Sequence, residues 1–177
     1  MHDEQCVLDL LRALDRLPGP EHLEFPDGFD HAAAGARAVR LQERLGRDFG
    51  QPCSLDAVQD ASCYFRVSIP RQATEADVHI AVRLSNYGDL AAVTTPRPDS
   101  HEDLDQAVAE GALSGRDRRR VEDALSDLGY VLVPLRLLHR LYDGVTWLAD
   151  DVPGAVVAGY PPHQGRATWW TRFFEYL

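Results

Sequence analysis

DVHIAVRLSNYGDLAAVTT, Asp77 to Thr95, decides the fold. Val78, Ile80, Val82 and Leu84 alternate with His79, Ala81, Arg83 and Ser85, the two-residue period of a strand with one apolar face. SNYGD supplies the turn residues, and LAAVTT follows as a second β-rich run, so the pair predicts an antiparallel hairpin. Upstream, SCYFRVSIP repeats the pattern, with Cys63, Phe65, Val67 and Ile69 set against Tyr64, Arg66 and Ser68. Three neighbouring strands with a common apolar face imply an antiparallel sheet of three or more strands. The short apolar run YVLVP reads as a further strand.

Helical spacing frames this sheet on both sides. Residues 3–17 place Val7, Leu10, Leu11 and Leu14 on one face and are stopped by LPGP. A second helix is expected over 30–47, with Asp30 as N-cap and Gly46 and Gly50 about its end. Ser100 with Asp103, and Ser114 with Asp117, give two capping-box spacings that open helices toward Glu110 and Gly129. Pro134 occupies a helix-start position for LRLLHRLY, which is expected to close at YDG. Residues 144–166 hold three prolines and four glycines, with a short strand predicted at AVVAGY. The fold class is therefore α+β, one domain over 1–177, its sheet covered by N-terminal, central and C-terminal helices.

The tail ATWWTRFFEYL reads as the C-terminal helix. Trp169, Phe173 and Tyr176 share one side, Trp170, Phe174 and Leu177 the next, and Thr171, Arg172 and Glu175 are left as a narrow polar stripe. So wide an apolar surface must be covered on more than one face. Trp170, Phe173 and Phe174 are expected in the core, and Trp169 is expected to stay partly exposed at a subunit contact or a pocket rim.

Composition narrows the chemistry. Against 28 acids stand 18 basic residues, all of them arginine, for a net charge of −10. The absence of lysine removes Schiff-base and Walker-type mechanisms. The acidic balance repels nucleic acid and favours a basic protein partner. The arginines of GRDRRR at 115–120 face Glu122 and Asp123 at helical spacing, which argues against a helix-turn-helix reading. Neither a signal segment nor a membrane span is read, so a cytoplasmic location is expected. Cys6, Cys53 and Cys63 form no C-x-x-C pair, and the seven histidines show no metal-ligand spacing. No metal, cofactor or catalytic residue is assigned, and the chain is read as more an interaction protein than an enzyme.

Two constellations stand out. Tyr64, Arg66, His79 and Arg83, with Ser85, fall on the polar side of two neighbouring strands and would suit an anionic ligand if that face is open. A helix covering the face would close it. Glu21, Glu24, Phe25, Asp27 and Asp30 lie in a turn-rich segment and form a candidate surface for a basic partner, as do the acids of 99–110.

The signatures VQDASCYF, VRLSNYGDLAAV, LGYVLVP, LYDGV and TWWTRFFEYL, spread over about residues 55–177, resemble small bacterial cytoplasmic proteins, some of them similar to immunity proteins of toxin systems. The resemblance implies a one-domain α+β protein that binds rather than catalyses, and it transfers no functional residue. Two functions follow as expectations: a protein-binding module of the immunity or adaptor type acting through an acidic surface, or a small enzyme or anionic-ligand binder using the Tyr64/Arg66/His79/Arg83 face. A homodimer closed through the C-terminal helix is compatible with either.

Overall fold

A computed structural model describes residues 4–19, 24–56, 63–94, 101, 103–148 and 166–175. The expected strand at AVVAGY and candidate residue Glu21 lie outside them. Strands β1 (Ser54–Asp56), β2 (Tyr64–Ile69), β3 (Ile80–Ser85), β4 (Leu90–Thr94) and β5 (Val131–Leu132) form one sheet in the order β1-β2-β3-β4-β5. The first three pairings are antiparallel, while β4 and β5 run parallel. The fold is α+β with helices flanking a mostly antiparallel sheet.

The predicted alternation sets the register. Phe65, Val67 and Ile69 of β2 stand opposite Leu84, Val82 and Ile80 of β3, and Val82 stands opposite Val93 of β4. Their common face is closed by Leu41, Leu45 and Phe49 of α2 (His31–Phe49) and by Val121 and Leu125 of α4 (Gly115–Asp127). Asp30 caps α2 by accepting the Ala33 amide at 2.9 Å, and Gly50 ends it in the left-handed region. The hairpin turn between β3 and β4 needs its glycine twice over. Gly88 has φ +63°, and a Cβ there would meet Leu14 Cδ2 at 2.9 Å.

The opposite face carries Ala81, Arg83 and Ser85 of β3 and Ala92 of β4. It too is covered, by α1 (Glu4–Asp15), α5 (Leu135–Leu138) and α6 (Trp169–Phe174). Between α2 and α4 lie β1 to β4 and α3 (Leu104–Ala109), the last capped by Asp103 accepting the Gln106 amide at 2.9 Å. Three expectations need correction. Trp169 is not partly exposed: it is 1 % exposed, stacked on Phe173 and edge-on to Tyr142. The exposed tryptophan is Trp147, at 67 %. The LRLLHRLY helix ends at Leu138, because Leu141 bridges Thr168 and the Tyr142 amide donates to the Ala167 carbonyl.

Of the polar stripe expected on the closing helix, Thr171 and Arg172 are buried as well. Arg172 donates through Nε to Asp15 Oδ1 at 2.7 Å, and both side chains are almost fully enclosed. Asp15 also accepts from the Tyr142 hydroxyl and the Val145 amide at 2.7 Å, and from Thr146 Oγ1 at 2.8 Å. The Arg172 guanidinium stacks on Tyr87 at 4.2 Å. Gly144 has no room for a side chain, since a Cβ would overlap the Asp15 carboxylate and the Tyr142 ring. The signature LYDGV, with Thr146 after it, is thus a loop wrapped around one aspartate. Burial pushes the Asp15 carboxyl up, but the donors from Val145, Tyr142, Arg172 and Thr146 outweigh it and hold it below its ordinary 3.8.

Because the folded value is depressed, Asp15 contributes stability above the ordinary carboxyl range, and that contribution is lost as pH falls below about 4. Asp15→Asn leaves Arg172 buried without a counter-charge and is expected to cost about 3–5 kcal/mol in urea unfolding. The double variant Asp15→Asn/Arg172→Met should recover part of that loss. Equal losses in the single and double variants would show that the charge pair is not what the site depends on.

Candidate functional site

The register decides what the polar sheet face can do. Tyr64 pairs with Ser85 at one end of the β2–β3 ladder and Ile69 with Ile80 at the other, so His79 lies beyond the far end. It stands four positions before Arg83, about 13 Å along a strand. The four predicted ligand residues therefore do not converge. Arg83 and Tyr64 do meet: the guanidinium lies 4.5 Å from the Tyr64 ring and 4.8 Å from the Trp170 ring, and donates to the Phe174 carbonyl. Arg66 opposes Arg83 across the ladder and turns outward to Asp56 on β1 at 3.1 Å. Helix α6 thus lies over Arg83, and each arginine already has an intramolecular partner.

The thiols are withdrawn from chemistry by burial. Cys63 is 3 % exposed, donates to the Glu175 carbonyl at 2.9 Å, and has its pKa pushed up to about 12 by desolvation. Desolvation raises Cys53 to about 11. Neither supplies a thiolate near neutral pH. Among the described residues, no group of three His, Cys, Asp or Glu side chains is placed to hold a metal ion.

The acidic segment 24–31 is a pinned turn. Phe25 and Phe29 stack with ring centroids 5.9 Å apart, and His31 meets both edge-on at 4.7 and 4.6 Å. The Glu24 carbonyl accepts from Asn86 Nδ2 at 3.0 Å, the Asp27 amide donates to the Pro18 carbonyl at 2.8 Å, and Asp30 is the cap of α2. Of the predicted partner-facing residues, Asp27 stands clear on the surface, while Phe25 is half-buried.

A cleft that the sequence did not reveal opens at the carboxyl ends of the parallel strands β4 and β5, the side of such a pair where open sheets receive ligands. It encloses about 400 Å³. Its floor is apolar, made by Val7, Val93, Leu132, Val133, Leu135 and Leu137. Its rim is charged. Arg136 on α5 bridges Glu4 on α1 at 2.7 Å and Asp103 before α3 at 3.1 Å. Arg118 on α4 bridges Glu122 at 2.7 Å and Asp105 on α3. The hydrogen bond from Arg118 holds Asp105 below the ordinary carboxylate range. The only advance signal was the acidity of 99–110; the apolar half came from elements scattered along the chain.

No family model, curated protein or solved structure matches this chain at a significant level. Among the described residues, no helix is long and apolar enough to cross a membrane.

The burial of the thiols is directly measurable. Under native conditions a water-soluble disulfide reagent should modify Cys6, which is exposed, and leave Cys53 and Cys63 unreacted until denaturant is added. Rapid native modification of Cys63 would mean that α6 does not hold the sheet face closed.

Proposed function

We propose that this chain is a non-catalytic protein-binding module of the immunity or adaptor type, whose acidic surface engages a basic protein partner. The distribution of charge carries this reading. Arg12, Arg37, Arg44, Arg118 and Arg136 are each held by the chain's own carboxylates, and all of these but Arg37 by two apiece. With 28 acids against 18 arginines, ten carboxylates remain in surplus. The positive charge is largely consumed internally, and the field presented to a partner is negative. Such a surface accelerates encounter with a basic protein and repels polyanions. The alternative, an anionic-ligand site on Tyr64, Arg66, His79 and Arg83, receives no support from a face on which Arg83 lies beneath Trp170 and His79 is remote.

The immobilised protein, exposed to a lysate of its source organism, should retain a basic protein in a stoichiometric complex. Raising the salt should weaken that complex chiefly by slowing association, because surface charges steer encounter and are screened. Retention of an acidic protein, or a complex indifferent to salt, would overturn the proposal.

A further inference from the structure

We infer that the cleft beside β5 is the docking groove for that partner, and that what enters it is a short segment carrying an apolar side chain between basic ones. The inference rests on the proposed binding of a basic protein and adds the place and the chemistry of recognition. The floor can take only an apolar group, since Val7, Val93, Leu132, Val133, Leu135 and Leu137 offer it no polar side chain. The cavity, at about 400 Å³, matches an inserted side chain with its neighbours more closely than a flat protein face.

The rim determines the charge of what flanks it. Four carboxylates, Glu4, Asp103, Asp105 and Glu122, face two guanidiniums, a surplus of two negative charges at the mouth. They are arranged in two pairs, one gathered by Arg136 and one by Arg118. Each carboxylate can accept more hydrogen bonds than a single arginine supplies. Asp105 and Glu4 are the accessible members, with side chains 71 % and 54 % exposed. An incoming arginine or lysine therefore joins an existing bridge without breaking it, once on each side of the apolar floor. An acidic segment would meet the surplus and be rejected. Asp105 lies on α3 and Asp103 caps it, and the same helix sends Ala107 into the core, so this part of the rim is presented by a packed element.

Titration of the isotopically labelled full chain with acetyl-Arg-Arg-Leu-Arg-Arg-amide, followed by amide chemical shifts, tests the inference. Saturable shifts are expected at Val93, Leu132, Val133 and Leu135, with at least tenfold weaker binding of the peptide in which serine replaces leucine. They should be absent with Glu-Glu-Leu-Glu-Glu. Asp105→Asn/Glu122→Gln, shown by its melting transition to be folded, should weaken binding several-fold, whereas Glu43→Gln, remote from the cleft, should not.

Basic peptides that shift many acidic surfaces alike, with no preference for leucine, would overturn the cleft assignment and leave the basic-partner reading standing. No shifts with either basic peptide, together with failure to retain a basic protein, would remove both. Cleft shifts that depend on protein concentration without peptide would identify a second copy of this chain as the occupant instead, and would overturn the inference.

Discussion

Asp15 is the point on which the rest of the structure closes. Its carboxylate gathers a guanidinium from α6, a phenol, a hydroxyl and a backbone amide into a site from which water is excluded. An isolated buried charge is costly, but one whose lone pairs are filled and whose counter-ion is in contact is tolerated, and removing any partner exposes the cost. The end of α1, the loop at 142–146 and the last helix are therefore fixed together or not at all. Trp169, Trp170, Phe173 and Phe174 can then fill the second face of the sheet, where most of the apolar stabilisation of that layer resides.

That closure has consequences for function on both sides of the molecule. Helix α6 lies over Arg83, so Arg83 and Tyr64 are half-buried beside Trp170, while Arg66 stays exposed against Asp56. All six residues of α6 are buried within the chain. The same packing places α1 and α5 beside β5, where Val7, Leu135 and Leu137 form a wall of the cleft. The sheet face is sealed and the cleft is built by one set of contacts.

How much of this was legible depended on the range of the signal. The alternation in DVHIAVRLS and CYFRVSI is local, and β2 and β3 form within those stretches, with Ile80 and Val82 fully buried and Val78, before β3, partly so; β4 forms in the LAAVTT run. The caps Asp30 and Ser114 were readable for the same reason. Strand β1 was not, because three residues, Ser54, Leu55 and Asp56, are too few to show a period. Arg172 read as part of a polar stripe, since nothing in a sequence reports that it and Asp15, 157 residues away, will be buried against each other. The same limit hid the cleft, whose rim and floor come from α1, β4, α3, α4, β5 and α5. His79 was misplaced relative to Arg83 by a subtler error: equal parity along a strand gives a common face but not proximity.

On the proposal above, the partner is met at the cleft and not at the sheet face under α6. Amide hydrogen exchange, compared between the free protein and its complex with the partner, reads both surfaces at once. New protection is expected in residues 103–108, 118–122 and 132–137, with β2, β3 and α6 unchanged. Protection centred on Tyr64, Arg66 and Arg83, with the cleft segments unaffected, would contradict it.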